Sequence, residues 1–498
     1  MDAAQPHLTS LEQARGVVVE QFQKIQQLLW RVQQLEKQLY GPSSERQLAG
    51  PFSKEQILLS LFPAPLEAPA VQSVLVEGGA AEKEKRPRRQ PAAQVLETVS
   101  ERLEPAEKIC AHCGKEKCEI GCEKSERFEY VPAKIIRHEI LRPKLACPCG
   151  QGGVSIAPLP PQVVEQGQAG ASLIAHLILS KYDDHLPLYR QEQQFARLGV
   201  NFPRQTLCDW VEHGAQWLQP IVREMKRELL AGNYLQVDET PVKVMDPEVK
   251  GKCATGYLWV GGVPGGDVIF EFHPGRGKEY ALELIGNFCG SLQRDGYSAY
   301  GALARERPGI VPVGCWSHAR RKFVEALEHQ SAEAAEAVSA LRQLYWIERH
   351  ARDQGLAAEA RLKLRRELSA PILETLRPKM EAWREKHLPQ SPLGKAVGYT
   401  LNEWRPLTRY LEDGQLEIDN NLTENAIRPS AVGKKNWLFI GHPAAGWRSA
   451  VIYSVIVSCR RRGIDPWDYV RDVLGRLPGM HQSELSSVLP ARWQPVTR

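Results

Sequence analysis

The sequence predicts a multidomain α/β protein. A mixed five-stranded sheet with helices is interrupted by an all-α insertion and preceded by a coiled coil, a cysteine-rich module and a helical segment. Three observations carry this prediction. Residues 8–45 repeat apolar side chains at a seven-residue spacing. Six of the 11 cysteines fall between positions 110 and 149. From residue 232 onward, short apolar runs ending in Gly or Asp alternate with segments of helical period, the signature of strand–helix units. A length of 498 residues suits several domains better than one core. The apolar fraction of 43% and charged fraction of 25% exclude a disordered chain, a collagen-like repeat and a dense disulfide scaffold. No run approaches the ~20 apolar residues of a spanning helix, so no membrane partner is expected. The start, MDAAQPHLTS, has no basic or apolar signal region and predicts a chain kept in a reducing cytosol. A net charge of +5 does not by itself announce nucleic acid.

The element over 8–45 places Leu11, Val18, Ile25, Val32 and Leu39 on one seam position, with Leu28 and Leu35 three residues on, the spacing of a leucine zipper. Ser10 with Gln13 forms a capping box, and Gly41-Pro42 stops the helix. A dimerising zipper is the expectation, and the alternative is an amphipathic helix packed on its own chain, since Ala14 and Gln21 weaken the seam. Residues 46–104 read as a linker whose basic cluster, Lys85-Arg86-Pro87-Arg88-Arg89, either touches phosphate or is simply solvated. Over 105–155, CAHC at 110–113 and CPCG at 147–150 flank the strand-like stretch FEYVPAKIIRHEILRP. Cys110, Cys113, Cys147 and Cys149 then bring four thiolates to one structural Zn2+. The second pair is C-x-C, so Cys118, Cys122, His112 and His138 stay open as substitutes. The five scattered cysteines, at 208, 253, 289, 315 and 459, read as small core residues.

Residues 165–230 read as helical. QAGASLIAHLILSKY is apolar at helical spacing, LPLYRQEQQFARLG ends on Gly199, and the next helix has Pro203 in its first turn. This helix–turn–helix pattern offers Arg204, Gln205 and Thr206 to base edges; the alternative is a plain packing unit.

The segment 231–460 carries the chemistry. Tyr234–Val237 is a short strand ending in Asp238-Glu239-Thr240. GYLWVGG at 256–262 and DVIFEFHPG at 267–275 add two strands, and GKEYALELIGNF a helix. SLQRDGYSAY contains Asp295 at a strand end, and VPVGCW precedes the helix SHARRKFVEAL. Three hairpin-linked strands followed by strand–helix units are the layout of a ribonuclease-H-like fold, in which strands one and four are neighbours. Asp238 and Asp295 would then lie side by side. Glu424 is the third candidate, in a segment whose Asp419 and Asn420 are good helix caps. Clustered carboxylates repel, and two Mg2+ (or Mn2+) ions about 3.5–4 Å apart would resolve that repulsion while activating a nucleophile against a phosphodiester. His318, Arg320 and Arg321 are candidates for gripping phosphate, as are Lys434 and Lys435. An all-α insertion is expected at about 331–412. Its Trp346, Trp383 and Trp404 are read first as core packing, with stacking on DNA ends as the alternative.

With these motifs in order, the chain resembles the insertion sequence 66 transposases nearly end to end. The resemblance rests on LYGPSSER, CAHCG…FEYVPAKIIRHEILRPKLACPC, VDETPVKVMDP…GYLWV, LQRDGYSAY and GCWSHARRKF. It continues through IDNNLTENAIRPSAVGKKNWLF and, in the C-terminal element 461–498, GIDPWDYVRDVLGRLP…LPARW. The resemblance implies that Asp238, Asp295 and Glu424 match a DDE metal-binding triad. It further implies strand cleavage at the terminal inverted repeats, strand transfer into target DNA, companion proteins of the same element, and a bacterial, cytoplasmic, nucleoid-associated location. Two departures stand out: the C-x-C pair, and Ser317 where the family usually has Ala. A non-catalytic DNA-binding regulator and a metal-dependent nuclease of the same fold are the competing readings.

Overall fold

A computed structural model describes residues 134–146, 154–165 and 167–495 apart from Lys250 and Gln330, together with His112. The expected coiled coil, the basic linker and all four expected zinc ligands lie outside the described residues. Two short strands, β1 (Lys144–Ala146) and β2 (Val154–Ile156), pair antiparallel. The strand expected over 128–143 does not form across its described part: residues 134–143 carry no strand, and Ile136, Ile140 and Leu141 are exposed. β-branched residues make a strand only where a partner edge and a buried face exist.

Three helices follow. α1 (Ala171–Tyr182) buries Ile174, Leu177 and Ile178. α2 (Leu188–Arg197) buries Leu188, Gln191 and Phe195, a stripe at helical spacing. α3 (Arg204–Leu230) runs 27 residues. Pro203 is its N-cap rather than part of its first turn. Buried residues from Leu207 to Leu229 line α3 over its whole length, so it is a packing helix beyond its exposed start.

The sheet then builds as its apolar runs dictate. β3 (Tyr234–Val244), β4 (Ala254–Gly262) and β5 (Val268–His273) form an antiparallel meander. α4 (Lys278–Ile285) leads to β6 (Gly290–Gln293), and α5 (Ser298–Glu306) leads to β7 (Ile310–Val313). β6 runs parallel to β3, and β7 parallel to β6, which gives the order β5-β4-β3-β6-β7. Leu235, Val237, Val260 and Leu292 are fully buried, as central strands covered on both faces require.

After α6 (Trp316–Leu327) comes a run of helices: α7 (Ala332–Asp353), α8 (Ala358–Leu364), α9 (Ala370–Lys386), α10 (Pro392–Asn402) and α11 (Trp404–Thr408). A π-helical turn at Arg365–Ser369 joins α8 to α9. There Arg365 and Glu348 form a wholly buried two-pronged ion pair, 2.7 Å at each prong. Arg365 also donates to the carbonyls of Tyr410 (2.9 Å) and Asp413 (3.1 Å). Trp383 is buried, and Trp404 stands edge-on to Trp316 with ring centres 6.0 Å apart. Both are packing residues.

The chain returns to the sheet as α12 (Asn421–Trp437), and Ile440 then bridges to Val244. α13 (Gly446–Arg461) and α14 (Pro466–Arg476) follow, and 3-10 turns at Leu477–Gly479 and Gln482–Val488 come last. Every residue of α13 from Ser449 to Cys459 is buried, as expected of a helix without a polar face. Its hydroxyls serve the edge strand: Phe270 N donates to Ser454 Oγ (2.8 Å) and Val268 N to Ser458 Oγ (2.9 Å). Among the described residues, no helix is long and apolar enough to cross a membrane. Of the scattered cysteines, Cys315 and Cys459 are buried, but Cys208 and Cys253 are half-buried and Cys289 is exposed. The small-core reading therefore holds for two of them.

Candidate active site

β3 delivers Asp238 at the point where its buried run, Tyr234–Val237, gives way to half-buried positions. Asp295 follows β6 directly, and its Oδ1 accepts from Tyr297 N (2.9 Å), closing an Asx turn before α5. Gly296 is needed beside it, because a Cβ there would lie 2.3 Å from the Tyr399 ring of α10. Glu424 stands in the first turn of α12.

A buried polar network holds that helix start to the sheet. The Tyr234 hydroxyl donates to Gln293 Oε1 and accepts from Glu417 N (3.0 Å). Gln236 Nε2 donates to Gln293 Oε1 (2.8 Å), and Gln293 Nε2 to the carbonyls of Gly314 (2.9 Å) and Glu417 (2.8 Å). Asn420 Nδ2 donates to Val237 O (2.8 Å), and Thr423 Oγ1 to Gln236 Oε1 (3.0 Å). The residues beside Asp238 and Glu424 are thus bonded to one another across 183 to 187 positions of sequence. The sequence carried one signal of this, an amide inside the apolar run Tyr-Leu-Gln-Val.

Burial pushes the Asp238 carboxyl well above its ordinary value, and the charges of Glu239, Glu424 and Asp295 push it further. A hydrogen bond from Glu239 N to Asp238 Oδ1 (2.9 Å) opposes them. Asp295 and Glu424 therefore both lie close enough to Asp238 for their charges to act on it. Glu239 is a fourth carboxylate that the sequence reading passed over. Burial and Asp295 raise its pKa, and its ion pair with Arg276 lowers it. Tyr300 donates to Glu239 Oε2 (3.0 Å). Arg276 also stands 3.8 Å from Asp295 Oδ2 and 4.0 Å over the Tyr297 ring. The three carboxylates offer the oxygen donors that a hard divalent cation such as Mg2+ or Mn2+ takes, although their oxygens are not drawn as close together as the ligand atoms of Cys315, His318 and Glu424.

On the other flank, Glu424 Oε2 lies 3.6 Å from Arg321 Nη2, and Glu424 Oε1 lies 3.7 Å from His318 Nδ1. Burial lowers the His318 pKa, and Glu424 opposes it. Arg320 and Arg321 are exposed. Lys434 is turned back onto β3, donating to Pro241 O (3.1 Å) and Thr240 Oγ1 (3.3 Å), while Lys435 is exposed. Arg204 pairs with Glu192 (3.0 Å) and Gln205 with Asp209 (2.8 Å), so these two find their partners on α2 and α3 rather than at the carboxylates, and Thr206 beside them is half-buried.

Residues 166–448 match the family described as the Transposase IS66 family. The chain belongs to the IS66 transposase family. The matched span contains all three carboxylates and every helix from α1 to α12. Residues 107–150 match the zinc-finger binding domain of transposase IS66, a span that includes Cys110, Cys113, Cys147 and Cys149. Relatives occur in Sinorhizobium fredii. The chain is 35% identical over 408 residues to the uncharacterized protein y4jD, covering 79% of each chain. It is 34% identical over 484 residues to the uncharacterized protein y4qI, covering 93% of this chain and 88% of that one.

Proposed function

We propose that this chain is a DDE transposase with a ribonuclease-H-like core, which cleaves a strand at each end of its element and joins the freed 3′-hydroxyl to target DNA. The observation that carries the reading is the convergence of Asp238, Asp295 and Glu424 from β3, the β6 end and α12 on a sheet ordered β5-β4-β3-β6-β7. Asp238, Asp295 and Glu424 would hold two Mg2+ ions. Such ions supply an activated nucleophile and stabilise the leaving oxygen of a phosphodiester. The Tyr234–Gln236–Gln293–Asn420–Thr423 network sets the position of Glu424 against the strand that bears Asp238. Arg276 pairs with Glu239 and offsets part of the negative charge that this fourth carboxylate adds beside Asp238. Arg321 beside Glu424 and the exposed Arg320 and Lys435 supply cations for the DNA backbone, with His318 at Glu424 as a hydrogen-bonding neighbour of the phosphate; such contacts position without reading sequence.

End recognition falls to the other modules. The start of α3, with Arg204, Gln205 and Thr206, and a zinc-finger domain holding structural Zn2+ on Cys110, Cys113, Cys147 and Cys149 would engage the terminal inverted repeats. The segment 8–45 would dimerise the chain as a coiled coil. Companion proteins of the element and a cytoplasmic, nucleoid-associated location complete the proposal.

The test is cleavage and joining of a labelled linear end substrate. Wild-type protein with Mg2+ cuts and joins; Asp238→Asn does neither, yet retains zinc and binds the end. Wild-type-level cleavage by Asp238→Asn would sink the assignment. Cutting without joining would make the chain a nuclease.

A further inference from the structure

Beside the three carboxylates lies a second donor cluster of different chemistry. Cys315 is the N-cap of α6, His318 is in the first turn of the same helix, and Glu424 reaches across from α12. Cys315 Sγ, His318 Nδ1 or Nε2 and a Glu424 oxygen all lie within 4.8 Å of one another. His318 Nδ1 and Glu424 Oε1 are both buried, and neither has a hydrogen-bond partner. They face each other at 3.7 Å, too far for a hydrogen bond. Two buried polar atoms left unpaired are costly, and a structure rarely keeps them without a reason. Donors at roughly 2.0–2.3 Å from a tetrahedral ion stand about 3.3–3.8 Å apart, so this spacing is that of two ligands on one metal.

We propose that Cys315, His318 and Glu424 form a binding site for one borderline transition-metal ion, of the Zn2+ or Co2+ class, with a fourth position left to solvent or substrate. Sulfur and imidazole donors select such ions over Mg2+. Asn420 N already donates to Cys315 Sγ (3.3 Å), a contact that stabilises a thiolate. The N-terminus of the 12-residue α6 adds the positive end of a helix dipole at the same atom. The buried thiol gives up its proton as the ion binds. This inference rests on the reading of Glu424 as an ion ligand and extends it: the residue is shared, so an ion held by Cys315 and His318 competes for the carboxylate that the Mg2+ pair needs.

The test uses Co2+ with the full-length protein whose zinc finger carries Zn2+. Wild type should take up one Co2+ with a sulfur-to-cobalt charge-transfer band. The band should vanish in Cys315→Ser, and His318→Gln should bind Co2+ at least tenfold more weakly. Zn2+ should displace the ion, and excess Mg2+ should not. Equal uptake and identical spectra in wild type, Cys315→Ser and His318→Gln would overturn the site. If His318→Gln does not fold, the band in Cys315→Ser decides alone. Mg2+-dependent cleavage is read separately: cleavage without the cobalt signal removes this site and keeps the transposase, while the cobalt signal without cleavage does the reverse.

Discussion

Asp238 is a residue on which burial and three neighbouring carboxylates act in one direction. Its pKa is raised on folding, so the folded chain holds a proton that the unfolded chain has released. Stability contributed by that proton is present near the ordinary Asp range and is lost as pH rises through the raised value. Asp238→Asn should therefore raise the Tm of metal-free protein at neutral pH and leave it nearly unchanged in acid, as measured by thermal unfolding at both pH values. Adding Mg2+ should stabilise wild type more than the variant. Gly296 makes a second prediction: Gly296→Ala drives a methyl group into the Tyr399 ring, so it should displace the Asp295 turn and cut strand cleavage at least tenfold with zinc content intact. Asp238, Asp295 and Glu424 could be picked out because each follows a readable apolar run or opens a helix preceded by good capping residues, although the strand expected to end at Asp238 runs on to Val244. Glu239 with Arg276 could not, since their pairing depends on how the meander and the loop after β5 meet. No local pattern encodes that.

At the scale of elements, the join between α12 and β3 is polar and fully buried. Asn420→Ala removes the bond to Val237 O and leaves that carbonyl unpaired, which should cost roughly 1–3 kcal/mol in denaturant unfolding. Thr423→Val tests the same join from the helix side through its bond to Gln236. The strand order could be read from the sequence because three apolar runs separated by short turns leave few alternatives for a meander. The stretch 134–143 has comparable residues but pairs with no strand among the described residues, and composition does not report the presence of an edge. Pro203 marked the start of α3 to within one residue, whereas the buried length of α3 needed the packed structure.

For the whole molecule, the helical run α7–α11 is held by a buried charge pair. Glu348→Ala strands Arg365 and should destabilise the chain by about 3–5 kcal/mol, whereas replacing both residues with apolar ones should recover most of the loss; calorimetry of the full chain distinguishes the two. The helical character of this run was plain from its Ala, Leu, Arg and Glu content, but its charged centre was not, because most Arg and Glu residues of such helices are solvated. The serine hydroxyls of α13 carry a consequence for how copies of the chain can meet. They occupy two outward amides of β5, those of Val268 and Phe270. At the opposite margin β7 is four residues long and includes Pro312, which has no amide hydrogen to offer. Neither margin can template a strand from another molecule. Bringing two element ends together, as the proposed reaction requires, would therefore not extend this five-stranded sheet from one subunit into the next, and falls to other surfaces or to the DNA itself.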